Sequence, residues 1–165
     1  MLLAACGSGG DGALAVAVIG EPDSAFANGI ELSEAAQVLQ AATGAGLVAR
    51  DAGGEVIPAL AERWIVTDDG LSFIFRLRDA PWPDGSELTA TSVARALERR
   101  IAALEGTALS LDLAPVTDIR AMAGRVVELR LSSPVPALLA LLAQPELVLD
   151  NGESDASPGP MVLVR

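Results

Sequence analysis

The chain has 165 residues, one domain's worth at the usual ~100 to 200 residues per domain, and its 51% hydrophobic content excludes a disordered tail. Its 22 acidic residues face 11 basic ones, all of them Arg, and the net charge of −11 argues against nucleic acid as a partner and against polybasic attachment to anionic lipid. His and Tyr are absent and Cys6 is the only cysteine, so most side chains that perform acid/base, nucleophilic or zinc chemistry are missing and no internal disulfide can form.

The first ten residues are a short apolar piece, Cys6 and then a flexible Gly/Ser stretch. Leu3-Ala4-Ala5-Cys6 resembles a bacterial lipoprotein lipobox, which implies lipid attachment at Cys6 and a tether that lets the following domain stand off the membrane. Leu14 to Ile19, bounded by Gly12 and by Gly20-Glu21-Pro22-Asp23, has the composition of a buried strand running into a loop. Ser33 is placed to cap a helix running to about Thr43, with Ala35, Val38, Leu39 and Ala42 on one face and Gly44 and Gly46 ending it. A short strand over Leu47 to Arg50 and a turn at Gly53-Gly54 follow, and Ile57 to Glu62 is expected to form one or two helical turns.

Arg63 to Arg78 carries the clearest local pattern. Leu71, Phe73, Phe75 and Leu77 alternate with Ser72, Ile74 and Arg76, and Asp68-Asp69-Gly70 supplies a turn, which together predict a β-hairpin. After a Pro- and Gly-containing loop from Asp79 to Glu87, Thr89 is placed to cap a helix whose buried face is Val93, Leu97, Ile101 and Leu104, closed by Gly106. Residues 116 to 131 predict a second hairpin turning at Ala123-Gly124, with Val127, Leu129 and Leu131 on one face. Pro136 should open a helix to about Ala143, Glu146 to Leu149 a strand, and Asn151 to Gly159 a polar loop. Met161 to Arg165 begins a strand that no turn or cap closes, so the chain is expected to end within a domain. The longest apolar stretch, Val135 to Leu149, is broken by Pro136, Gln144, Pro145 and Glu146 and falls short of the ~20 apolar residues that span a bilayer. Taken together, the elements predict a mixed α/β fold.

Candidate chemistry is sparse. Gly7-Ser8-Gly9-Gly10 lacks the Lys and Ser/Thr of a phosphate-binding loop and is taken as linker. Asp68, Asp69 and Asp84 sit at turns, where Asp bonds its own backbone, which outweighs a metal or catalytic role; no metal site, cofactor or catalytic residue is expected. Trp64 is expected in the core or on a sheet face, and Trp82 packed down on its own domain in preference to lining a binding surface. Arg95, Arg99 and Arg100, with Glu98 and Glu105, are expected to form an ordinary solvated helix face.

The run Pro58 to Leu97, PALAERWIVTDDGLSFIFRLRDAPWPDGSELTATSVARAL, resembles a segment of the extracytoplasmic solute-binding proteins of peptide- and nickel-type ABC importers, solute-binding protein family 5. The ordered elements are a Pro-Ala-Leu-Ala-Glu-x-Trp lead-in, an Asp-Asp-Gly-Leu turn, a Phe-x-Leu-Arg strand, an Asp-Gly loop and Leu-Thr-Ala opening a helix. The likeness extends to the loop at Gly20 to Ser24 and to Ser133 to Leu149 with Gly159-Pro160, and it gives Cys6 its expected context.

This resemblance implies the N-terminal part of a periplasmic-binding-protein type II fold, a mixed α/β architecture from which the second lobe is absent. Residues 1 to 10 would be a lipoprotein signal and tether, 11 to 44 the start of the first lobe, 45 to 155 its extra subdomain and 156 to 165 the re-entry into that lobe. Ligand contacts in this family come mostly from the two lobes, leaving Glu21, Pro22, Asp23 and Ser24 as the stretch expected to face the cleft. The implied function is capture of a peptide or similar small solute outside the cytoplasmic membrane for an ABC permease, not enzymatic, with the membrane reached only through the lipid. One cleft wall encloses nothing, so this stretch is not expected to bind solute alone. Two other classes stand beside it. One is a stand-alone α/β interaction module whose partner completes the sheet; the other is a carboxylate hydrolase, which would have to use Asp68, Asp69 or Asp84.

Overall fold

The computed structural model describes residues 33–152 and residue 159. Helix α1 spans Glu34–Thr43; the Ser33 hydroxyl accepts a hydrogen bond from the Ala36 amide at 3.2 Å, and Gly44 ends the helix, as the capping pattern predicts. Strands β1 (Val48–Arg50) and β2 (Val56–Pro58) form a two-stranded antiparallel ribbon, turned by Asp51, whose Oδ1 accepts from the amides of Gly53 and Glu55.

The helical turn expected over Ile57 to Glu62 does not form, because β2 and the start of the next strand occupy it. A six-residue helix holding Pro58 would strand its few amides, whereas here Leu60 and Ala61 donate across to the carbonyls of Gly46 and Leu47 at 3.1 and 2.9 Å.

The body of the fold is a four-stranded antiparallel sheet, β3 (Ala61–Val66), β4 (Ser72–Leu77), β5 (Val116–Met122) and β6 (Val126–Leu131), in the order β3-β4-β6-β5. Both predicted hairpins are present. They meet at their second strands, with Phe75 opposite Val127 and Phe73 opposite Leu129. Strict alternation places Phe73, Phe75, Leu77, Val127, Leu129 and Leu131 on one buried face. Helix α2 (Ala90–Ala103) packs on that face against β5 and β6 with Val93, Ala94, Ala96 and Leu97. Its Thr89 cap and Ser92 form a reciprocal capping box.

The connection from α2 to β5 contains a helix the sequence reading did not anticipate, α3 (Ala108–Leu113), capped by Thr107. Six residues are too few to show a helical period, and tertiary packing against the helix at Leu138–Leu142 supplies what propensity lacks. Helix α4 (Leu138–Leu142) begins two residues after Pro136. The strand expected at Glu146 to Leu149 is instead a 3₁₀ turn over Pro145–Leu147, in which the Leu147 amide donates to the Gln144 carbonyl and the Val148 amide to the Pro145 carbonyl. Pro145 presets the turn, and among the described residues Val148 and Leu149 join neither sheet.

The outward face of the sheet carries charge. Glu128 is only 7% exposed there, covered in register by Ile74 and Arg120, and its carboxylate accepts from the Ser72 hydroxyl at 2.6 Å and pairs with Arg130 Nε at 3.2 Å. The Ser72 hydroxyl first, and then Arg130, hold its pKa below the ordinary glutamate range. Because the folded pKa is the lower one, this contribution is complete above the unfolded pKa and disappears as pH falls through the folded value. Thermal melting of wild type and Glu128→Gln should therefore diverge most at neutral pH and converge in acid; a constant gap at all pH values would contradict it.

Candidate functional site

Two sets of sequence-predicted functional residues, Cys6 and Glu21 to Ser24, lie outside the described residues, as do the expected strands at Leu14 to Ile19 and Met161 to Arg165. Within the described residues the place of most functional interest is the neck where the chain enters and leaves the sheet-and-helix body. The entering segment, Gly44 to Gly46, lies against the leaving one, Leu147 to Leu149, and the Leu149 amide donates to the Ala45 carbonyl at 3.1 Å. Small residues permit this approach. A Cβ built on Gly44 would lie 2.4 Å from Val148 Cγ1 and 2.7 Å from the Gln40 carbonyl oxygen, and one on Gly159 would lie 2.0 Å from the Thr43 carbonyl. Leu147, Val148 and Leu149 are all buried, so the leaving segment is anchored by apolar contact before the charged residues begin.

Beyond Leu149 the anchoring becomes electrostatic. Arg100 Nη2 donates to Asp150 Oδ2 at 2.7 Å, and Arg99 Nη2 donates to the Asp150 carbonyl at 3.0 Å with Oδ1 3.5 Å away. Asp150 Oδ1 also accepts from the Gly152 amide at 2.9 Å, and the Asn151 amide group donates to Asp84 Oδ2. This corrects the expectation of an ordinary solvated face for Arg99 and Arg100. Arg95, Glu98 and Glu105 of that group are exposed, as expected. The partner residue lies fifty positions along the chain, so no local pattern announces the pairing.

The other candidates take quieter roles. Trp82 is 1% exposed and its indole Nε1 donates to Ser92 Oγ at 3.1 Å, so it packs on its own domain as expected and offers nothing to a ligand. Trp64 is half-buried on the core face of β3, opposite Phe75. Asp69 and Asp84 serve their turns. The Thr67 hydroxyl and Leu71 amide hold the Asp69 pKa below its ordinary value, and the Ser86 hydroxyl and amide do the same for Asp84. An open cleft of about 340 Å³ lies between the end of α2, α3 and α4, lined by Leu104, Leu109 and Leu141 together with Asp112, Gln144 and Glu146. Among the described residues no three His, Cys, Asp or Glu side chains group as metal ligands, and no helix is long and apolar enough to cross a membrane.

Comparison with known proteins places this geometry. The sequence profile of the bacterial extracellular solute-binding proteins, family 5 middle region, matches residues 55–162. The probable deoxycholate-binding periplasmic protein YgiS of Escherichia coli K12 is 33% identical over 142 residues, taking in 71% of this chain and 26% of the relative. Among solved structures, the PBP AgaA of A. tumefaciens R10 in complex with agropinic acid superposes with a TM-score of 0.64 at 29% identity, covering 78% of this chain and 25% of that one. A periplasmic oligopeptide-binding protein of an oligopeptide ABC transporter from Borrelia burgdorferi superposes at 0.65 and 22% identity, covering 76% and 29%. The chain thus spans about a quarter of the length of these relatives.

Proposed function

Because this chain belongs to the family 5 bacterial extracellular solute-binding proteins, we propose that it serves, as part of a longer protein, to capture a peptide or similar small solute outside the cytoplasmic membrane for an ABC permease. The observation that carries this reading is the profile match over residues 55–162, which takes in both hairpins, the capped helix α2 and the leaving side of the neck. In this reading, residues 1 to 10 are signal and tether with Cys6 as the lipid-bearing residue, 11 to 44 open the first lobe, 45 to 155 form its extra subdomain and 156 to 165 return to the lobe. The side-by-side crossing at Gly44 to Gly46 and Leu147 to Leu149 supports a subdomain boundary there, since an inserted unit must leave where it enters. Glu21 to Ser24 remain the proposed contribution to the ligand cleft. The transport role needs no enzymatic chemistry, and the turn carboxylates Asp69 and Asp84 are already engaged locally.

A solute enclosed between two lobes gains its affinity from both walls. Isothermal titration of this 165-residue chain with a mixture of short peptides is therefore expected to give no saturable heat. Saturable heat in the micromolar range would overturn the assignment of this stretch as a scaffold that needs its other lobe.

A further inference from the structure

The geometry points to the Arg99, Arg100 and Asp150 cluster as an electrostatic latch that sets the direction in which the chain leaves the body, separable from the apolar contacts that hold the body together. The inference goes beyond the transport reading and does not depend on which solute is captured.

Three observations carry it. The first is a sharp boundary in the kind of contact: Leu147, Val148 and Leu149 are buried, whereas Asp150, Asn151 and Gly152, which are half-buried or exposed, make hydrogen bonds and ion pairs to other described residues. Apolar burial holds the first set regardless of ionic strength, and Coulombic attraction holds the second only while it is unscreened. The second is convergence. Two consecutive arginines at the end of α2 meet one carboxylate and its own carbonyl, and the side chains of Arg100 and Asp150 are 21% and 22% exposed, covered enough for the pair to matter and open enough for salt to reach it. Arg99, the more exposed, stands 3.5 Å from the same carboxylate.

The third is the path of the backbone. Gly152 has φ +79°, and a Cβ built there would lie 3.0 Å from Arg99 Nη2, so the chain folds over the guanidinium in a conformation that glycine adopts freely. Asn151, between them, ties back to Asp84 in the loop that seats Trp82. The exit direction is thus set by groups from two elements far apart in sequence, and none of them contributes to the core. Opening the latch would free residues 150 to 152 to pivot after Leu149 while sheet and helices stay intact.

The test uses ¹⁵N relaxation on the whole chain. The double substitution Arg99→Gln and Arg100→Gln removes both cations and leaves the local bond from the Gly152 amide to Asp150 in place. Order parameters of Asn151 and Gly152 are expected to fall from the rigid range near ~0.85 to below ~0.6, with Leu149 and the strands of the sheet unchanged. Asp150→Asn, which keeps Oδ1 as an acceptor but loses the charge, should do the same, as should raising salt to ~1 M in the wild type, where the screening length is ~3 Å. Unchanged order at Asn151 and Gly152 in the arginine variant would overturn the latch. So would parallel loosening of Leu149 and the sheet, which would make the cluster a support of global stability instead.

Discussion

Replacing Trp82 with alanine is expected to destabilise the domain by about 3–5 kcal/mol, the usual range for emptying a buried aromatic site. Trp82 is the largest fully buried side chain. It sits in a loop, so its site is built from a turn: its amide donates to the Ser86 carbonyl at 2.8 Å, its carbonyl accepts from Gly85, and Pro81 bridges to Glu87. The indole closes this turn onto α2 through Ser92 Oγ, which also accepts from the Thr89 amide and donates to the Thr89 carbonyl. One hydroxyl therefore serves the helix cap and the loop anchor together. Trp82→Phe keeps most of the apolar area and loses the hydrogen bond, leaving a Ser92 acceptor idle, and should cost only about 1–2 kcal/mol. Urea unfolding followed by far-UV circular dichroism checks both. Equal losses in the two variants would mean that the hydrogen bond, not the packing, seats the loop.

The second large effect is expected at Phe75. It is 0% exposed at the centre of the sheet, between Trp64 of β3 and Val127 of β6, so Phe75→Ala opens a cavity in the core and should cost about 3–5 kcal/mol. Domains of this size are stable by only about 5–15 kcal/mol, so this single change takes a large part of the whole. The contrast is Ile65, one residue past Trp64 on β3 and 62% exposed on the opposite face. Ile65→Ala should stay within about 0.5 kcal/mol. The pair tests register, because a slip of one residue exchanges the two faces of every strand. Comparable melting temperatures for the two variants would refute the strand pairing described here.

What was legible in the sequence shares one property, that its cause lies within a few residues. The alternation from Leu71 to Leu77 and from Val127 to Leu131 is decided by the two-residue period of a strand, and the starts of α1 and α2 by hydroxyls at Ser33 and Thr89 that bond amides three residues on. The family likeness was legible for the same reason, since it rests on an ordered run of turns and strand residues from Pro58 to Leu97 that the profile match later covers from residue 55. The readings that failed were short segments with weak local preference. Ile57 to Glu62 became strand ends with a bend between them because Leu60 and Ala61 found carbonyls on Gly46 and Leu47, and Glu146 and Leu147 closed a 3₁₀ turn that Pro145 presets.

Local patterns sufficed for a mixed α/β chain rich in acidic residues, its two hairpins, its two well-capped helices and its kinship with solute-binding proteins. That the hairpins join through β4 and β6, that Glu128 is covered on the outward face, and that Arg99 and Arg100 hold Asp150 in place of solvent came from packing. The difference is one of range. Periodicity and capping act over two to four residues and are written in adjacent letters, whereas burial and ion pairing join residues about fifty apart, brought together only once the core between them has packed.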